Sequence, residues 1–365
     1  MPLTLSQLWW FLPLAAVLTT LLALALMPLA RKIGLVDHPG TRKVHETVTP
    51  MTGGPAIFIV LGIFVAWSMP GDRFIQALGI GGLMMVITGM VDDRHHLSAA
   101  LRFLIQMGAC LVIILWADVR LMDFGRLMWD DVFGLGWLAG PITIFAAIGV
   151  INSFNMIDGM DGLAGSIFLV AAAGMALFAA LAGDSGMLWL LLVSMAAVLG
   201  FLVLNARSPW NEKARAFLGD AGSLLLGFIL AWCFIALGSG QDRAYTPMTA
   251  VWLFALPLLD TTTLMWRRWR SGESAFAADQ YHLHHAFLRA GYSVVETWIA
   301  ITLLALVLAG VGVLFELGGV ADYVRFYVFM ALAFVYYFYM RHSWTKQRFF
   351  GRDFVYHEFT VEEIN

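Results

Sequence analysis

Charged side chains are scarce in this sequence. Asp, Glu, Lys and Arg together account for 13% of the 365 residues, whereas they account for about 25% of an ordinary soluble domain. Hydrophobic residues account for 60%, and the mean hydropathy is +0.79. A soluble fold of this length needs far more polar surface to cover its core. The composition therefore excludes a soluble globular enzyme and a disordered chain, and it indicates a protein that resides in a lipid bilayer.

Cysteine and an excess of basic residues are also lacking. Cys110 and Cys233 are the two cysteines, and both lie inside apolar runs, so we interpret them as packed thiols rather than as a disulfide or a metal pair. The net charge of -3 provides no strongly basic face, which excludes nucleic acid as a partner. Residues 1–30 have neither a basic start nor an Ala-x-Ala-like cleavage site, and they are predicted to be a span rather than a removable signal peptide.

Long apolar runs predict the fold class, because one transmembrane helix takes about 20 apolar residues. The eleven predicted spans are 8–30, 54–70, 74–91, 101–117, 138–154, 163–182, 187–204, 221–237, 248–266, 297–315 and 323–340. No internal repeat or composition shift divides the chain. We therefore predict an all-α polytopic membrane protein, with a single transmembrane catalytic domain over residues 1–341 and a cytoplasmic C-terminal tail over residues 342–365.

Lysine and arginine are distributed unevenly between the two sides of this bundle. Of the 22 lysines and arginines, 17 lie in loops on one side. These loops are 31–53, 92–102, 205–220, 267–296 and 341–365. Cytoplasmic loops of membrane proteins are enriched in these residues, so this side is predicted to face the cytoplasm. The N-terminus is then periplasmic and the C-terminus is cytoplasmic, as an odd number of spans requires.

Five polar clusters fall at the helix ends on this predicted cytoplasmic side. They are Gly53-Gly54 with Arg42, Lys43 and His45 upstream; the pair Asp92-Asp93; the Asn/Asp run of Asn152, Asn155, Asp158 and Asp161; the segment 217–223 around Asp220; and the His cluster of His282, His284 and His285. Because the five clusters share one face of a membrane protein, we predict a functional site there.

The acidic clusters each have a structural and a functional interpretation. Asp92-Asp93 could simply end a helix, but two adjacent carboxylates repel each other and favour a cation or a positive partner nearby. The Asn/Asp run has a three-residue spacing, which places its oxygens along one stripe if the segment is helical. Such oxygens suit a hard cation such as Mg²⁺, whereas in a solvated loop the same residues would only form turns.

The remaining clusters are also ambiguous from the sequence. Asp220 could cap the span that it opens, or the glycines and helix amides around it could approach a phosphate while its carboxylate holds a metal. The His cluster lacks a nearby cysteine and the spacing of a closed zinc site. Beside Arg267, Arg268 and Arg270 it suits phosphate binding. Lys43 and its basic neighbour could serve only to set the topology.

Acidic oxygens for Mg²⁺ and basic side chains for phosphates, gathered at a membrane boundary, suit phosphoryl transfer from a water-soluble donor to a lipid acceptor. This reaction needs alignment and charge neutralisation more than a protein nucleophile. The alternatives are a transporter or lipid flippase and a non-catalytic scaffold. A transporter is expected to place its charges near the bilayer midplane, in broken helices from two repeats, whereas here the clusters lie at span ends.

Five motifs carry a resemblance to a known family. They are GLVDHPGTRKVH (34–45), GMVDDR (89–94), INSFNMIDGMDGLAG (151–165), FLGDAGS (217–223) and HLHHAFLRAGYS (282–293). In this order and spacing they resemble the bacterial polyprenyl-phosphate N-acetylhexosamine-1-phosphate transferases. The chain looks most like their WecA-type branch, the undecaprenyl-phosphate alpha-N-acetylglucosamine 1-phosphate transferases of glycosyltransferase family 4.

The resemblance implies an enzyme of the bacterial inner membrane with its active site on the cytoplasmic face. It would transfer GlcNAc-1-phosphate from UDP-GlcNAc to undecaprenyl phosphate and release UMP, which initiates the synthesis of O antigen or a related envelope polysaccharide. The implied cofactor is Mg²⁺, with Mn²⁺ as an alternative ion. The implied partners are the UDP-N-acetylhexosamine, undecaprenyl phosphate and membrane lipid, and a homodimer is compatible with the resemblance.

The resemblance also implies roles for individual residues. Asp220 would be the first Mg²⁺ ligand, with Asn155 beside it. Asp92 and Asp93 would be catalytic carboxylates, one of which orients or deprotonates the lipid phosphate. Asp158 and Asp161 would be catalytic residues near the nucleotide and the metal. The implied substrate-binding residues are Lys43, His45, Asn152, Asn155, Arg267, His282, His284 and His285.

One position departs from the family pattern. The WecA-type loop reads Asp-Arg before the His motif, whereas this chain has Asp279-Gln280-Tyr281. The missing guanidinium removes a bidentate anion contact. The donor sugar therefore stays open between GlcNAc and another N-acetylated hexosamine, such as a 6-deoxy sugar. The phospho-MurNAc-pentapeptide translocase branch fits less well, because its motif has three consecutive histidines.

Overall fold

The chain folds into a bundle of α-helices with very little β-structure. The computed structural model describes residues 5–37, 48–127, 131–209, 211–272, 274 and 280–355. The helices are α1 (Leu5–Ile33), α2 (Gly53–Ser68), α3 (Arg73–His95), α4 (Ala99–Ala117), α5 (Ala139–Ile157), α6 (Leu163–Leu181), α7 (Ser185–Asn205), α8 (Gly219–Gly238), α9 (Pro247–Leu253), α10 (Ala255–Arg270), α11 (Leu283–Arg289), α12 (Val294–Leu317) and α13 (Asp322–Lys346). Two antiparallel pairs of short strands complete the described part: β1 (Val36–Asp37) with β2 (Thr49–Pro50), and β3 (Arg348–Phe349) with β4 (Arg352–Asp353).

The all-α polytopic membrane fold that the sequence predicts is confirmed. Within the described residues, nine helices are long and apolar enough to cross a bilayer, and α9 with α10, bent by 81°, makes a tenth candidate if the pair counts as one span. Helix α2 covers the remaining predicted segment, but its 16 residues rise only about 24 Å. That length is less than the roughly 30 Å of a bilayer core. All eleven predicted segments are thus helical, and α2 is the one that is too short to span by length alone.

Helix α8 forms the centre of the bundle. It is apolar on all sides after its first turn, the pattern of a buried helix, and 94% of its most apolar stretch is buried. Helices α3 and α5 pack along it most extensively. By contrast, the corresponding stretches of α1, α12 and α13 are only 17%, 22% and 11% buried, so these helices form the rim of the bundle.

Glycines let the backbones of α2, α3 and α8 touch at the first turn of α8. A Cβ atom on Gly89 would lie 2.1 Å from the Ala221 nitrogen, and one on Gly54 would lie 2.4 Å from the Gly222 nitrogen. No side chain fits in such a space. Gly54 and Gly222 therefore serve helix packing in the structure, whereas the sequence had suggested that the glycines of segment 217–223 approach a phosphate.

The segments that follow α1, α3, α5, α7 and α10 gather at one end of the bundle, where residues of each line a common cavity. We call this the cavity end and the opposite one the far end. A buried ionic network closes the far end. Arg325 contacts the carboxylate of Glu316 and donates hydrogen bonds of 3.1 Å to the hydroxyls of Thr246 and Thr249. Both hydroxyls also contact Glu316. These contacts tie the α12–α13 turn to the start of α9 and so fix the bend that precedes α10.

Beyond α13, the described chain returns to α11. The Val355 nitrogen donates to the Arg289 carbonyl at 2.8 Å, and the rings of Phe349 and Phe287 pack edge to face with centroids 4.8 Å apart. The β3–β4 hairpin is therefore part of the packed fold and supports the helix that carries the His cluster.

Candidate active site

A cavity of about 860 Å³ opens at the cavity end of the bundle, within the size range of small-molecule sites. It brings together four of the five polar clusters that the sequence placed on one face. Of the residues predicted for the site, those that line it are Asp92, Asp93, Asn152, Asn155, Asp158, Asp161, Asp220, His282, His284 and His285. Lys43 and His45 lie outside the described residues, so their predicted contacts stay predictions.

Asp220 lies in the first turn of α8 and is held from α5. Its Oδ1 accepts a hydrogen bond of 2.7 Å from the Asn155 amide nitrogen, which also donates to the Ser223 hydroxyl at 2.8 Å. The carboxamide thus fixes the carboxylate in one orientation. Residues 65 positions apart in the chain meet in this contact, and they are the two residues that the sequence predicts as metal ligands.

Asp93, and not Asp220, caps helix α8. Its Oδ1 accepts from the Asp220 nitrogen at 2.9 Å, and its Oδ2 accepts from the Ala221 nitrogen at 3.5 Å. A carboxylate at this position satisfies otherwise unpaired amides and interacts favourably with the helix dipole. Of the two interpretations left open for Asp220, the one in which it caps its own span is therefore excluded. The first-turn amides that could have received a phosphate are occupied by Asp93.

Asp92 has the positive partner that its position next to Asp93 requires. Its Oδ2 lies 2.7 Å from an Arg102 nitrogen, and its Oδ1 accepts from the Leu97 nitrogen at 2.6 Å. The residue is 4% exposed. This ion pair ties the end of α3 to the start of α4 across a three-residue turn and holds Asp92 at the wall of the cavity.

The Asn/Asp run is helical only in its first half. Helix α5 ends at Ile157, so Asp158 caps the end of the helix and Asp161 lies in the following turn. Asn152 donates to the Gln106 side chain at 2.8 Å, which links α5 to α4. Asp161 accepts from the Arg207 guanidinium at 2.9 Å. The four side chains therefore do not lie along one face of a single helix, as a helical segment with this spacing would require. Two lie on α5 and two at or after its end, and all four line the cavity.

Asp158 lies just beyond the end of α5, and its carboxyl group has a raised pKa. Burial raises its pKa to about 8, and the neighbouring carboxylates of Asp220, Asp93 and Asp161 contribute to the same shift. Its side chain makes no hydrogen bond within the described part of the chain. A carboxylate in this state either holds a proton near neutral pH or requires a cation beside it.

The donor set at Asp220 and Asn155 fits a hard cation that is completed by substrate. Within the described ranges, no three His, Cys, Asp or Glu side chains form a group that could hold a metal by themselves. Mg²⁺ commonly uses one or two carboxylates and keeps water and substrate phosphate oxygens as its other ligands. The oxygens of Asp220 and Asn155 match this incomplete set, and the crowding of carboxylates around Asp158 supplies the negative charge.

The His cluster lines the same cavity as the carboxylates. The rings of His282 and His284 stack with centroids 5.5 Å apart, and those of His284 and His285 are 4.1 Å apart. Burial lowers the pKa of His285 well below its usual value, and the neighbouring His284, His282 and Arg289 add to this effect. His285 is therefore neutral at physiological pH, so it acts as a hydrogen-bonding group and not as a charge.

The basic residues in the last turn of α10 divide between two environments. The Arg267 guanidinium stacks 4.0 Å above the Tyr281 ring, and Arg267 is not among the described residues that line the cavity, whereas Arg268 is. Gln280, at the position that departs from the family pattern, accepts from Arg289 at 3.4 Å. The substrate contact predicted for Arg267 stays a prediction, and Arg268 is the residue of this helix end that lines the cavity.

Several polar residues at or behind the cavity were missed by sequence reasoning. Arg102 and Arg207 pair with Asp92 and Asp161 across loops, and a single sequence does not reveal such pairing. Arg268 was noted only as a neighbour of the His cluster. Asp260 contacts His282 at 2.7 Å. Its signal was available, because it is an isolated carboxylate within the apolar stretch 251–265.

Comparison with known proteins places this site in a family. The Glycosyl transferase family 4 model matches residues 75–238, which include Asp92, Asp93, Asn155 and Asp220. The undecaprenyl-phosphate alpha-N-acetylglucosaminyl 1-phosphate transferase of Escherichia coli K12 is 32% identical over 342 residues, which cover 92% of this chain and 91% of the relative.

Proteins of the same name from other bacteria give a similar result. The one from Salmonella typhi is 34% identical over 341 residues, covering 92% of this chain and 91% of the relative. The one from Haemophilus influenzae is 33% identical over 331 residues, covering 90% of this chain and 93% of the relative. Because similarity at this level extends over nearly the whole length of both partners, this chain belongs to glycosyl transferase family 4.

Proposed function

We propose that this protein transfers N-acetylglucosamine-1-phosphate from UDP-GlcNAc to undecaprenyl phosphate, as the names of its relatives state for them. An oxygen of the lipid phosphate attacks the sugar-bearing phosphorus of the donor. The bond from that phosphorus to the bridging oxygen breaks, and UMP leaves with that oxygen. The products are UMP and undecaprenyl-pyrophosphoryl-GlcNAc, the first lipid-linked intermediate of an O antigen or a related envelope polysaccharide.

The observation that carries the proposal is the meeting of two kinds of side chain in one cavity at a bundle end. Carboxylates around Asp220 line this cavity together with the His cluster and Arg268. Such a cavity can hold a diphosphate beside a cation site and hydrogen-bond donors. The carboxylates of the cavity lie at or just beyond helix ends, whereas a transporter is expected to place its charges in the middle of its spans.

We assign the parts as follows. Asp220 and Asn155 would hold Mg²⁺, or Mn²⁺ as an alternative, and the ion would neutralise the charge of the donor diphosphate and of the leaving UMP. Asp93 fixes the first turn of α8 and thereby Asp220. Asp92 with Arg102 fixes the adjacent wall. Asp158 is the carboxyl group that we assign to holding and exchanging a proton. Its pKa is raised, and its side chain has no hydrogen-bond partner in the described chain.

The donor dependence of UMP release tests the reaction. Purified protein in nanodiscs with undecaprenyl phosphate is given UDP-GlcNAc, UDP-GalNAc or a 6-deoxy analogue, each with Mg²⁺ or with EDTA. We expect Mg²⁺-dependent release that is fastest with UDP-GlcNAc. UMP release with only one of the other donors would support the type of reaction but assign a different donor sugar, as Gln280 at the departing position allows. Silence with every donor from folded protein would contradict the proposal.

We also propose that the cavity end faces the cytoplasm of a bacterial inner membrane, since UDP-sugars are cytoplasmic and this end carries most of the lysines and arginines. Ser271 and Ser185 are exposed at opposite ends of the bundle, and both native cysteines are buried. In intact cells, an impermeant maleimide is expected to label Ser185→Cys but not Ser271→Cys. The reverse pattern would overturn the orientation. Dimerisation remains a prediction.

A further inference from the structure

A buried carboxylate behind the His cluster has no part in the roles assigned so far. Asp260 lies on α10 and is 3% exposed. A carboxylate within a membrane span is costly and is retained where it has partners and a function. Asp260 is not among the described residues that line the cavity, so any effect that it has on the reaction must pass through the groups that it contacts.

Three donors converge on the Asp260 carboxylate, two from the start of α11 and one from α13. Its Oδ2 lies 2.7 Å from Nδ1 of His282. Its Oδ1 accepts from the backbone nitrogen of Leu283 at 3.0 Å and from the Tyr336 hydroxyl at 2.8 Å. Both oxygens therefore have hydrogen-bond partners. A carboxylate with three donors is favoured in its ionised form.

These contacts determine how His282 is presented. An ionised carboxylate only accepts hydrogen bonds, so the proton of the contact resides on Nδ1. The ring is then oriented by its buried side, and Nε2, on the opposite side of the ring, is directed away from Asp260. Because His282 lines the cavity, Nε2 is the nitrogen that can meet a ligand there. The bond to the Leu283 nitrogen fixes the start of α11, and His284 and His285 lie on that helix.

We propose that Asp260, supported by Tyr336, is a positioning residue that sets the proton and the orientation of His282, and through α11 the placement of the whole His cluster, for binding the donor diphosphate. The inference rests on the proposed function for the identity of the donor. In this arrangement three helices act together. Tyr336 of α13 supports the Asp260 carboxylate of α10, and that carboxylate orients the start of α11.

The test uses the full chain and the two substrates separately. Asp260→Asn keeps the shape of the side chain but presents an amide to His282 in place of a carboxylate. We expect the KM for UDP-GlcNAc to rise about 10- to 100-fold, while kcat and the KM for undecaprenyl phosphate remain close to those of the wild type. Tyr336→Phe removes one of three donors and is expected to cause a smaller rise in the same constant. A purely structural role would lower kcat and leave both KM values unchanged, which would overturn the inference.

A double-mutant cycle and a matched control sharpen the test. Adding Asp260→Asn to His282→Gln should raise the donor KM by a smaller factor than adding it to the wild type, because both changes remove the oriented His282 ring; fully multiplicative effects would contradict the proposal. Asp123→Asn is the control. Asp123 is a carboxylate at the far end that is paired with Arg243 at 2.7 Å, and its neutralisation should leave both KM values unchanged.

Nitrogen NMR of ¹⁵N-histidine protein separates this inference from the proposed function. The His282 signals, identified by their loss in His282→Gln, should report a proton on Nδ1 in the wild type and its displacement in Asp260→Asn. If the wild type releases no UMP but this shift is found, the proposed donor fails and the positioning stands. If the wild type is active and Asp260→Asn changes neither the donor KM nor the shift, the positioning fails and the proposed function stands.

Discussion

Replacing Asp220 with asparagine is expected to lower the rate of UMP release by at least about 10³-fold, the order of loss found when a central electrostatic group is removed from an active site. Asparagine fits the same space in the first turn of α8. It cannot supply the negative charge that a divalent cation requires, and its amide would face the Asn155 amide, which now donates to the carboxylate at 2.7 Å. The measurement is UMP release at saturating substrates, with size-exclusion chromatography and the thermal midpoint as checks on folding.

The matched control for this variant is again Asp123→Asn at the far end, which is expected to keep near-normal turnover. Asp220→Asn protein should elute as a monodisperse peak with a thermal midpoint close to that of the wild type in the absence of metal. Added Mg²⁺ should raise the midpoint of the wild type but not that of the variant. Near-normal turnover in Asp220→Asn would reject the assignment of Asp220 as a metal ligand.

Replacing Gly89 with alanine is expected to lower the free energy of unfolding by about 3 kcal/mol or more, the upper range for overpacking a close contact. The new Cβ atom would lie 2.1 Å from the Ala221 nitrogen and 2.4 Å from the Asp220 carbonyl carbon. Both are backbone atoms, which cannot rotate away as a side chain can. Helices α3 and α8 must therefore separate where Asp93 accepts from the Asp220 nitrogen, so UMP release should be lost together with stability.

The same helix provides the control for Gly89→Ala. A Cβ atom on Gly79 would meet no heavy atom within 4 Å, and alanine is the better helix former of the two. Gly79→Ala should therefore unfold at the same temperature as the wild type or slightly above it, with full activity. Equal behaviour of the two variants in thermal unfolding would show that the contact of α3 with α8 is not tight.

The spans and their order were predictable because burial in lipid leaves a strong signal in the sequence. Each apolar run corresponds to a helix, since a chain in the bilayer has to satisfy its own backbone hydrogen bonds. The bend between α9 and α10 was not predicted, because it depends on the contacts of Thr246 and Thr249 with the α12–α13 turn. Those contacts join distant parts of the chain and leave no periodic pattern.

The composition of the candidate site was predictable, but its internal contacts were not. The family resemblance of the motifs pointed to Asn155 and Asp220, and the structure brings them into contact. The capping of α8 by Asp93 joins residues 127 positions apart. It occupies the backbone amides at the start of α8, which the sequence had suggested as a phosphate site. Asp260 was passed over as part of an apolar span, although a lone carboxylate in such a setting is itself a signal of function.

The return of the chain from α13 to α11 sets an order on the completion of the protein. The hairpin residues that bond to the Arg289 carbonyl and pack on Phe287 are synthesised only after two further spans have left the ribosome. During that interval the bundle can insert around α8 while the helix of the His cluster lacks its outer support. A chain that ended at Lys346 would contain every span and every carboxylate of the cavity. Helix α11, which carries part of the His cluster, would lack the packing of the β3–β4 hairpin. We therefore expect membrane insertion to precede the completion of the part of the cavity that carries the His cluster.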